Sequence, residues 1–268
     1  MSVASTPTEV ALAGRYHYLR ELGRGASGRV LLASDGVDGP RRALKLVPAA
    51  AAGHLLAELD VLTRVAHPGL ARVHELLRLD QGVGAPFHLA AGSAVLVEEH
   101  VEGRTALAFV ERWPVGERAR RQGVLRILAE VGRALAALHD AGLLHGDVKP
   151  ENVLVGGERV VLVDLGLAGP PLAGDGRVRG TPGFLAPEAW SGVRSVATDL
   201  WAFGALAHAL LGGERSAAPS RPERFVEGPG PLPPEVPPPL AAWVETLLAR
   251  APREAARGAA EAGFHYGD

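Results

Sequence analysis

The chain carries one asparagine, Asn152, and two lysines, Lys45 and Lys149, among 268 residues. Alanine, glycine, arginine, proline, valine and leucine dominate, as if coding bias had removed every residue that could be removed, so the survivors call for a chemical explanation. Arginine replaces lysine at most surface positions, but its planar fork needs more room than a compact ammonium in a tight phosphate site. Asp, Ser or Gly replace asparagine in many turns, though not where a neutral carbonyl oxygen must bind a metal. Lys149 and Asn152 share one octet, His145-Gly146-Asp147-Val148-Lys149-Pro150-Glu151-Asn152. An aspartate, a lysine two residues on and an asparagine five residues on combine a proton acceptor, a point charge and a metal ligand. Phosphoryl transfer needs those parts: Asp147 to take or orient the acceptor's hydroxyl proton, Lys149 to neutralise the moving γ-phosphoryl, Asn152 to bind one magnesium ion. The bland alternative is a helix-ending loop with capping Asp and Asn.

Four further clusters accompany the octet. Gly23-Arg24-Gly25-Ala26-Ser27-Gly28-Arg29-Val30 sets three glycines in six residues between two predicted strands. Alone, such a run more often marks a flexible turn. A dinucleotide-binding fold would need it to open a helix, whereas Val30-Leu31-Leu32-Ala33 continues as a strand. Strand-turn-strand is the geometry of a flap over nucleotide phosphates, with Gly23, Gly25 and Gly28 giving the backbone its close approach. Lys45 in Ala43-Leu44-Lys45 lies seventeen residues past Gly28, and Glu58 stands in the following helical run. A strand lysine is usually solvated, but in a chain that avoids lysine an ion pair with Glu58 would aim the ammonium at the α- and β-phosphates. Asp164-Leu165-Gly166 ends the apolar run Val160-Val161-Leu162-Val163, and its carboxylate suits a second magnesium contact, because hard dications prefer oxygen ligands. The last cluster is Gly180-Thr181-Pro182-Gly183-Phe184-Leu185-Ala186-Pro187-Glu188, followed by Asp199-Leu200-Trp201-Ala202-Phe203-Gly204.

The elements that must position these residues are legible in outline. Runs at Tyr18-Leu19, Val30-Leu31-Leu32 and Ala43 to Val47, separated by Gly or Asp-Gly turns, predict an antiparallel meander. Leu55, Leu56, Leu59 and Leu62 recur at helical spacing and predict a helix over 54–65. A strand pair over 71–79 and 94–97 flanks a Gly-rich loop at 80–92, and Val101-Glu102-Gly103 reads as a short hinge. Beyond it the pattern is mainly helical: a long helix over 120–141 ending at Gly142, β runs at 153–155 and 160–163, a Gly- and Pro-rich loop over 164–187, and an apolar helix over 196–211. Residues 215–239 are too rich in proline for more than short helical turns, and a last amphipathic helix follows over 240–249. The expected fold class is α+β, with an N-terminal extension at 1–15, a small β-rich lobe with one main helix at 16–101, and a larger, mainly helical lobe at 102–268.

Composition narrows the function classes. At 47% hydrophobic content the chain can bury one large core or two lobes sharing a cleft. A formal charge of -2 gives no electrostatic case for nucleic acid or an anionic membrane surface. The absence of cysteine excludes disulfides, thiolate nucleophiles and zinc-thiolate sites. No stretch approaches the roughly 18 uninterrupted apolar residues of a spanning helix, and residues 1–14 lack the basic and apolar regions of a secretory signal. Cytoplasmic residence is the expectation.

Taken together, the five clusters resemble the eukaryotic-type (Hanks-type) serine/threonine protein kinase family over about residues 16–257, almost the whole chain. The resemblance implies the two-lobed protein kinase fold, ATP and two magnesium ions as cofactors, and protein substrates that accept phosphate on Ser or Thr. Lys149 two residues after Asp147 fits the serine/threonine class. The resemblance further implies that Thr181 hydrogen-bonds across Asp147 and Lys149 and that Asp199 braces the backbone around His145. It pairs Glu188 with a late arginine, for which Arg257 is the candidate. Adenine would lie between Val30 and Ala43 above and Leu154 below, hydrogen-bonded to the backbone of Glu99 and Val101. Glu98 is an unusual residue for the back of such a pocket. The composition suggests a bacterium with a GC-rich genome, and the chain is either a stand-alone domain or part of a longer, fused protein.

Three positions depart from the family pattern. Gly146 replaces the usual arginine before the catalytic aspartate, which in kinases that have it pairs with an activation-loop phosphate. Between Asp164 and Gly180 there is no Ser, Thr or Tyr, so receptor and phosphate are absent together. The expectation is a non-RD kinase that needs no activation-loop phosphorylation. Leu165 stands where phenylalanine is commonest, and Ser27 where an aromatic often caps the phosphates. Two competing readings remain: a small-molecule phosphotransferase of kinase-like fold, which His145-Gly146-Asp147 would suit, and a nucleotide-binding pseudokinase. The first family generally lacks the 180–188 and 199–204 segments; the second usually loses a lysine, aspartate or metal ligand that is present here.

Overall fold

Short apolar runs separated by turns build the N-terminal sheet. The computed structural model describes residues 11–25, 28–50, 52, 63, 65–212 and 230–249. Within them β1 (Ala11–Leu12), β2 (Tyr16–Gly25), β3 (Gly28–Asp35), β4 (Arg41–Val47), β5 (Val73–Arg78) and β6 (Ala94–Glu99) form one sheet in the order β1-β2-β3-β4-β6-β5. Every neighbouring pair is antiparallel. Leu31, Ala33, Leu44, Leu46, Val95 and Val97, each at most 4% exposed, supply one face and pack with Leu12, Tyr16 and Phe87. Alternation then sends Val30, Ala43 and Lys45 to the opposite face, since successive side chains of a strand point to opposite sides. Val30 is the direct cross-strand partner of Lys45, and Leu96 flanks Lys45 on β6. The expected runs at 30–32, 43–47 and 94–97 fall on these strands, and the run expected at 71–79 contains the shorter β5. Of β2 the sequence reveals only Tyr18-Leu19, because register shifts between Tyr18 and Arg20 and between Glu21 and Gly23 break the alternation. The helix expected over 54–65, with Glu58, falls almost wholly outside the described residues.

The second unit is mainly helical. Among the described residues, a three-stranded antiparallel sheet, β7 (Arg104–Thr105), β8 (Val153–Gly156) and β9 (Arg159–Leu162), accompanies four helices: α1 (Ala106–Val110), α2 (Arg118–Asp140), α3 (Val196–Leu210) and α4 (Pro238–Leu247). In α2, Val124, Ile127, Leu128, Val131, Leu135 and Leu138 recur at three- and four-residue spacing and are buried. Ser195 and Thr198 form a reciprocal capping box at the start of α3, fixing where the helix begins. Arg120, buried on α2, donates from Nε and Nη2 to the carbonyl of Leu210 at 3.3 and 3.1 Å, closing the far end of α3. Helix α4 begins at Pro238, two residues before the expected start: in the first turn a proline has no intrahelical N–H to lose, so its ring is tolerated there.

The chain divides into two compact units, Met1–Arg64 with Arg72–His100, and Val65–Ala71 with Val101–Asp268. The short Val65–Ala71 segment joins the second unit through β9: Ala71 N donates to Leu162 O at 3.0 Å and Leu162 N to Gly69 O at 2.8 Å. Among the described residues, no helix is long and apolar enough to cross a membrane.

Candidate active site

The loop between α2 and β8 is held from beneath by a buried carboxylate. Asp199, in the first turn of α3 and 1% exposed, accepts from His145 N at 2.8 Å and from Gly146 N at 2.9 Å, and its Oδ2 lies 2.9 Å from His139 Nε2. Burial alone would raise its pKa, but His139, His145 and the Gly146 amide outweigh that and hold the carboxyl below the ordinary aspartate value. The expected bracing of the backbone at His145 is thus present, and His139 adds a contact that the sequence did not flag. A partner sixty residues away along the chain leaves no local spacing signal.

His145 is itself fully buried, and its ring fixes the turn. Asp147 N donates to Nδ1 at 3.2 Å, which leaves Nε2 to carry the proton toward Val163 O, also 3.2 Å away. Burial is the largest effect on His145 and pushes its pKa below the usual imidazole value, although Asp199, Asp147 and Asp164 pull the other way. A neutral imidazole that accepts on one nitrogen and donates on the other is what this geometry requires.

Above that frame, three donors converge on the carboxylate of Asp147, which is 5% exposed. Lys149 Nζ lies 2.6 Å from Oδ2, Asn152 Nδ2 3.2 Å from Oδ2, and Thr181 Oγ1 donates to Oδ1 at 2.8 Å. Lys149 Nζ also donates to Thr181 Oγ1 at 2.7 Å, closing a ring of polar contacts between residues 32 positions apart. Asn152 Nδ2 additionally donates to Asp147 O at 2.8 Å, so its two amide protons serve the loop and its carbonyl oxygen remains the side chain's acceptor.

The β8–β9 hairpin brings the next carboxylate to the same end of the unit. Asn152 immediately precedes β8, Asp164 lies two residues after β9, and Val163 N donates to Asn152 O at 2.8 Å. Asp164 adopts φ 68 and ψ 65, a left-handed conformation costing a non-glycine residue about 1–2 kcal/mol, and it caps the following 3-10 turn through Gly166 N at 3.3 Å. Retained strain of this kind points to a functional carboxylate. A carbonyl oxygen from Asn152 and a carboxylate from Asp164 are hard donors of the type magnesium takes when substrate phosphates and waters complete its shell. Among the described residues no cluster of three His, Cys, Asp or Glu side chains could hold a metal by itself.

The remaining candidates are placed as follows. Gly23 and Gly25 end β2, and Gly28 opens β3 opposite Gly25, so the Gly-rich segment joins two strands. Gly28 has φ 115 and a Cβ there would stand 2.7 Å from Leu46 O, whereas a Cβ at Gly23 would meet nothing within 4 Å. Lys45 is buried in β4. Glu98 is buried in β6, paired in register with Ala43 and Val73. Glu99 N donates to Arg72 O at 2.8 Å, so that amide is engaged within its own unit. Leu154 is half-buried on β8, and Val101 begins the second unit's longer stretch. Glu58, Ser27 and Arg257 lie outside the described residues.

Residues 16–225 match the protein kinase domain family. The chain belongs to the protein kinase family. It is 32% identical over 260 residues to the serine/threonine-protein kinase PknA of Mycobacterium tuberculosis, an alignment covering 91% of this chain and 58% of that protein. It is 34% identical over 272 residues to the DNA damage-responsive serine/threonine-protein kinase RqkA of Deinococcus radiodurans, covering 93% of this chain and 39% of that one. The chain therefore spans well under two thirds of the length of these relatives. Among solved structures, the PknI kinase domain of Mycobacterium tuberculosis superimposes with a TM-score of 0.63 at 27% identity, covering 95% of this chain and 94% of that one. The fold is the two-lobed α+β protein kinase fold, and the family's members use ATP with divalent cations.

Proposed function

We propose that this kinase-family chain transfers the γ-phosphoryl group of ATP to Ser or Thr hydroxyls of protein substrates. The observation that carries the reading is the Asp147 carboxylate, oriented by Lys149, Thr181 and Asn152 on a loop whose backbone amides are bound to buried Asp199. In the reaction the substrate hydroxyl oxygen forms the new P–O bond, the bond from the γ-phosphorus to the bridging oxygen breaks, and ADP leaves. Asp147 receives the hydroxyl proton, and Lys149, 2.6 Å from it, balances charge on the transferring group. Thr181 holds both in register and shapes the acceptor side.

Asn152 and Asp164 are the residues we assign to magnesium, which when bound neutralises phosphate charge. Lys45, with Glu58 as its partner, is assigned to the α- and β-phosphates; Gly23, Gly25, Gly28, Val30, Ala43, Glu99, Val101 and Leu154 are assigned to the nucleotide. We further assign the chain to the non-RD type, active without activation-loop phosphorylation, on the strength of Gly146 and the lack of Ser, Thr and Tyr between Asp164 and Gly180. Labelled-ATP transfer to myelin basic protein or to the kinase itself tests the reaction: Asp147→Asn is expected to lower the rate about 10²- to 10³-fold, and equal rates would refute the mechanism. Phosphatase treatment should leave activity intact; its loss through a site in 164–180 would refute the regulatory assignment.

A further inference from the structure

Gly146 has φ 78, and a Cβ there would stand 2.7 Å from Arg194 Nη2 and 3.1 Å from Leu167 O. The position that lacks a side chain therefore faces the place where the Arg194 guanidinium donates to the Leu167 carbonyl. Arg194 is also tied by its backbone: Leu172 N donates to Arg194 O and Arg194 N to Leu172 O, both at 2.8 Å. Leu167 closes the 3-10 turn capped by Asp164, and two residues later Gly169 exchanges backbone hydrogen bonds with Leu144 at 2.8 and 3.1 Å. From Asp164 to Leu172 the segment is thus pinned at its cap, at Leu167, at Gly169 and at Leu172, and the pin at Leu167 is a guanidinium lying against the catalytic loop.

Building on the kinase reading above, we propose that Arg194 is a positioning residue that supplies, from the approach to α3, the guanidinium the catalytic loop lacks at position 146. The Leu167 carbonyl takes its donor where a phosphate otherwise would, so the arrangement of Asp164 and its turn is set without phosphorylation. A Cβ at 146 would press on the Arg194 guanidinium, so a side chain there requires the guanidinium to shift, which couples the two positions.

Hydrogen exchange of the Gly166, Gly169 and Leu172 amides, measured without nucleotide, tests this apart from catalysis. In Arg194→Ala, exchange of these amides is expected to rise roughly tenfold, since a carbonyl loses a charged donor. kcat should fall by a similar factor while the KM for ATP stays within about twofold, the pattern of a lost transition-state arrangement. Arg194→Lys, which still offers a cationic donor, should recover much of both. Gly146→Ala, which presses a Cβ onto the guanidinium without deleting it and also strains the loop at φ 78, should raise exchange at the same amides and serves if the arginine variant fails to fold. Wild-type exchange and kcat in both Arg194→Ala and Gly146→Ala would overturn the proposal, as would a lysine variant no better than alanine. Absence of transfer by the wild type would instead refute the kinase reading, and the exchange data would still decide the role of Arg194.

Discussion

Replacing Asp199 by asparagine removes one charge from the frame beneath the catalytic loop while keeping the shape. The best placement of the new carboxamide sets its oxygen at the Oδ2 position, where His145 N and His139 Nε2 lie at 2.8 and 2.9 Å. Its NH2 then opposes the Gly146 N–H, which the carboxylate met at 2.9 Å, so two buried donors face each other. An unsatisfied buried donor costs about 1–3 kcal/mol, and each of the two surviving bonds loses roughly 1 kcal/mol as its acceptor becomes neutral. Relief of the carboxylate's desolvation offsets part of this, leaving a net loss of about 2–4 kcal/mol. All four tryptophans, Trp113, Trp190, Trp201 and Trp243, belong to the second unit, so urea unfolding followed by their fluorescence reports the loss where it arises. Catalysis should suffer in kcat more than in the KM for ATP, because the amides held by Asp199 belong to the loop bearing Asp147. A double-mutant cycle with His139→Phe should show coupling of about 1 kcal/mol or more, as expected for direct partners. A destabilisation below about 0.5 kcal/mol, the range of ordinary surface changes, would refute the account of Asp199 as the brace.

The two glycines of the hairpin separate fold from function. Gly28→Ala, at φ 115 and 2.7 Å from Leu46 O, should destabilise β3 and β4 by about 2 kcal/mol or more, read as faster amide exchange in both strands. Gly23→Ala meets nothing within 4 Å among the described residues and should leave that exchange unchanged while raising the KM for ATP. Acid should weaken the second unit through its buried histidine as pH falls below neutrality. The His145 pKa is depressed chiefly by burial, so the unfolded chain takes up a proton near pH 6.5 that the folded unit refuses. Stability is then full above about pH 7 and falls as pH drops through 6.5, by at most about 1.4 kcal/mol per pH unit for this residue. His145→Gln should flatten the slope of urea-derived stability between pH 7 and 5; an unchanged slope would exclude His145 as its source.

What the sequence determined by itself is what short-range sterics and composition encode. The runs at 30–32, 43–47 and 94–97 were readable as strands because aliphatic and β-branched residues bounded by Gly or Asp-Gly turns favour extended backbone. The α2 stripe was readable because a helix repeats at three and four residues. The scarcity of lysine and asparagine, with the order of the five clusters, pointed to phosphoryl transfer before any geometry was known. Bulged β2 was only partly readable, since its register shifts destroy the period that would announce it. The tertiary structure alone decided which distant groups meet: His139 with Asp199, Arg120 with the end of α3, Val65–Ala71 with β9, and Arg194 with the space above Gly146. Arg194 is one of 26 arginines, and nothing in its neighbours' identity sets it apart. Its role arises because closing the chain places residues 167 and 194 within hydrogen-bond reach, a long-range constraint that local periodicity does not carry.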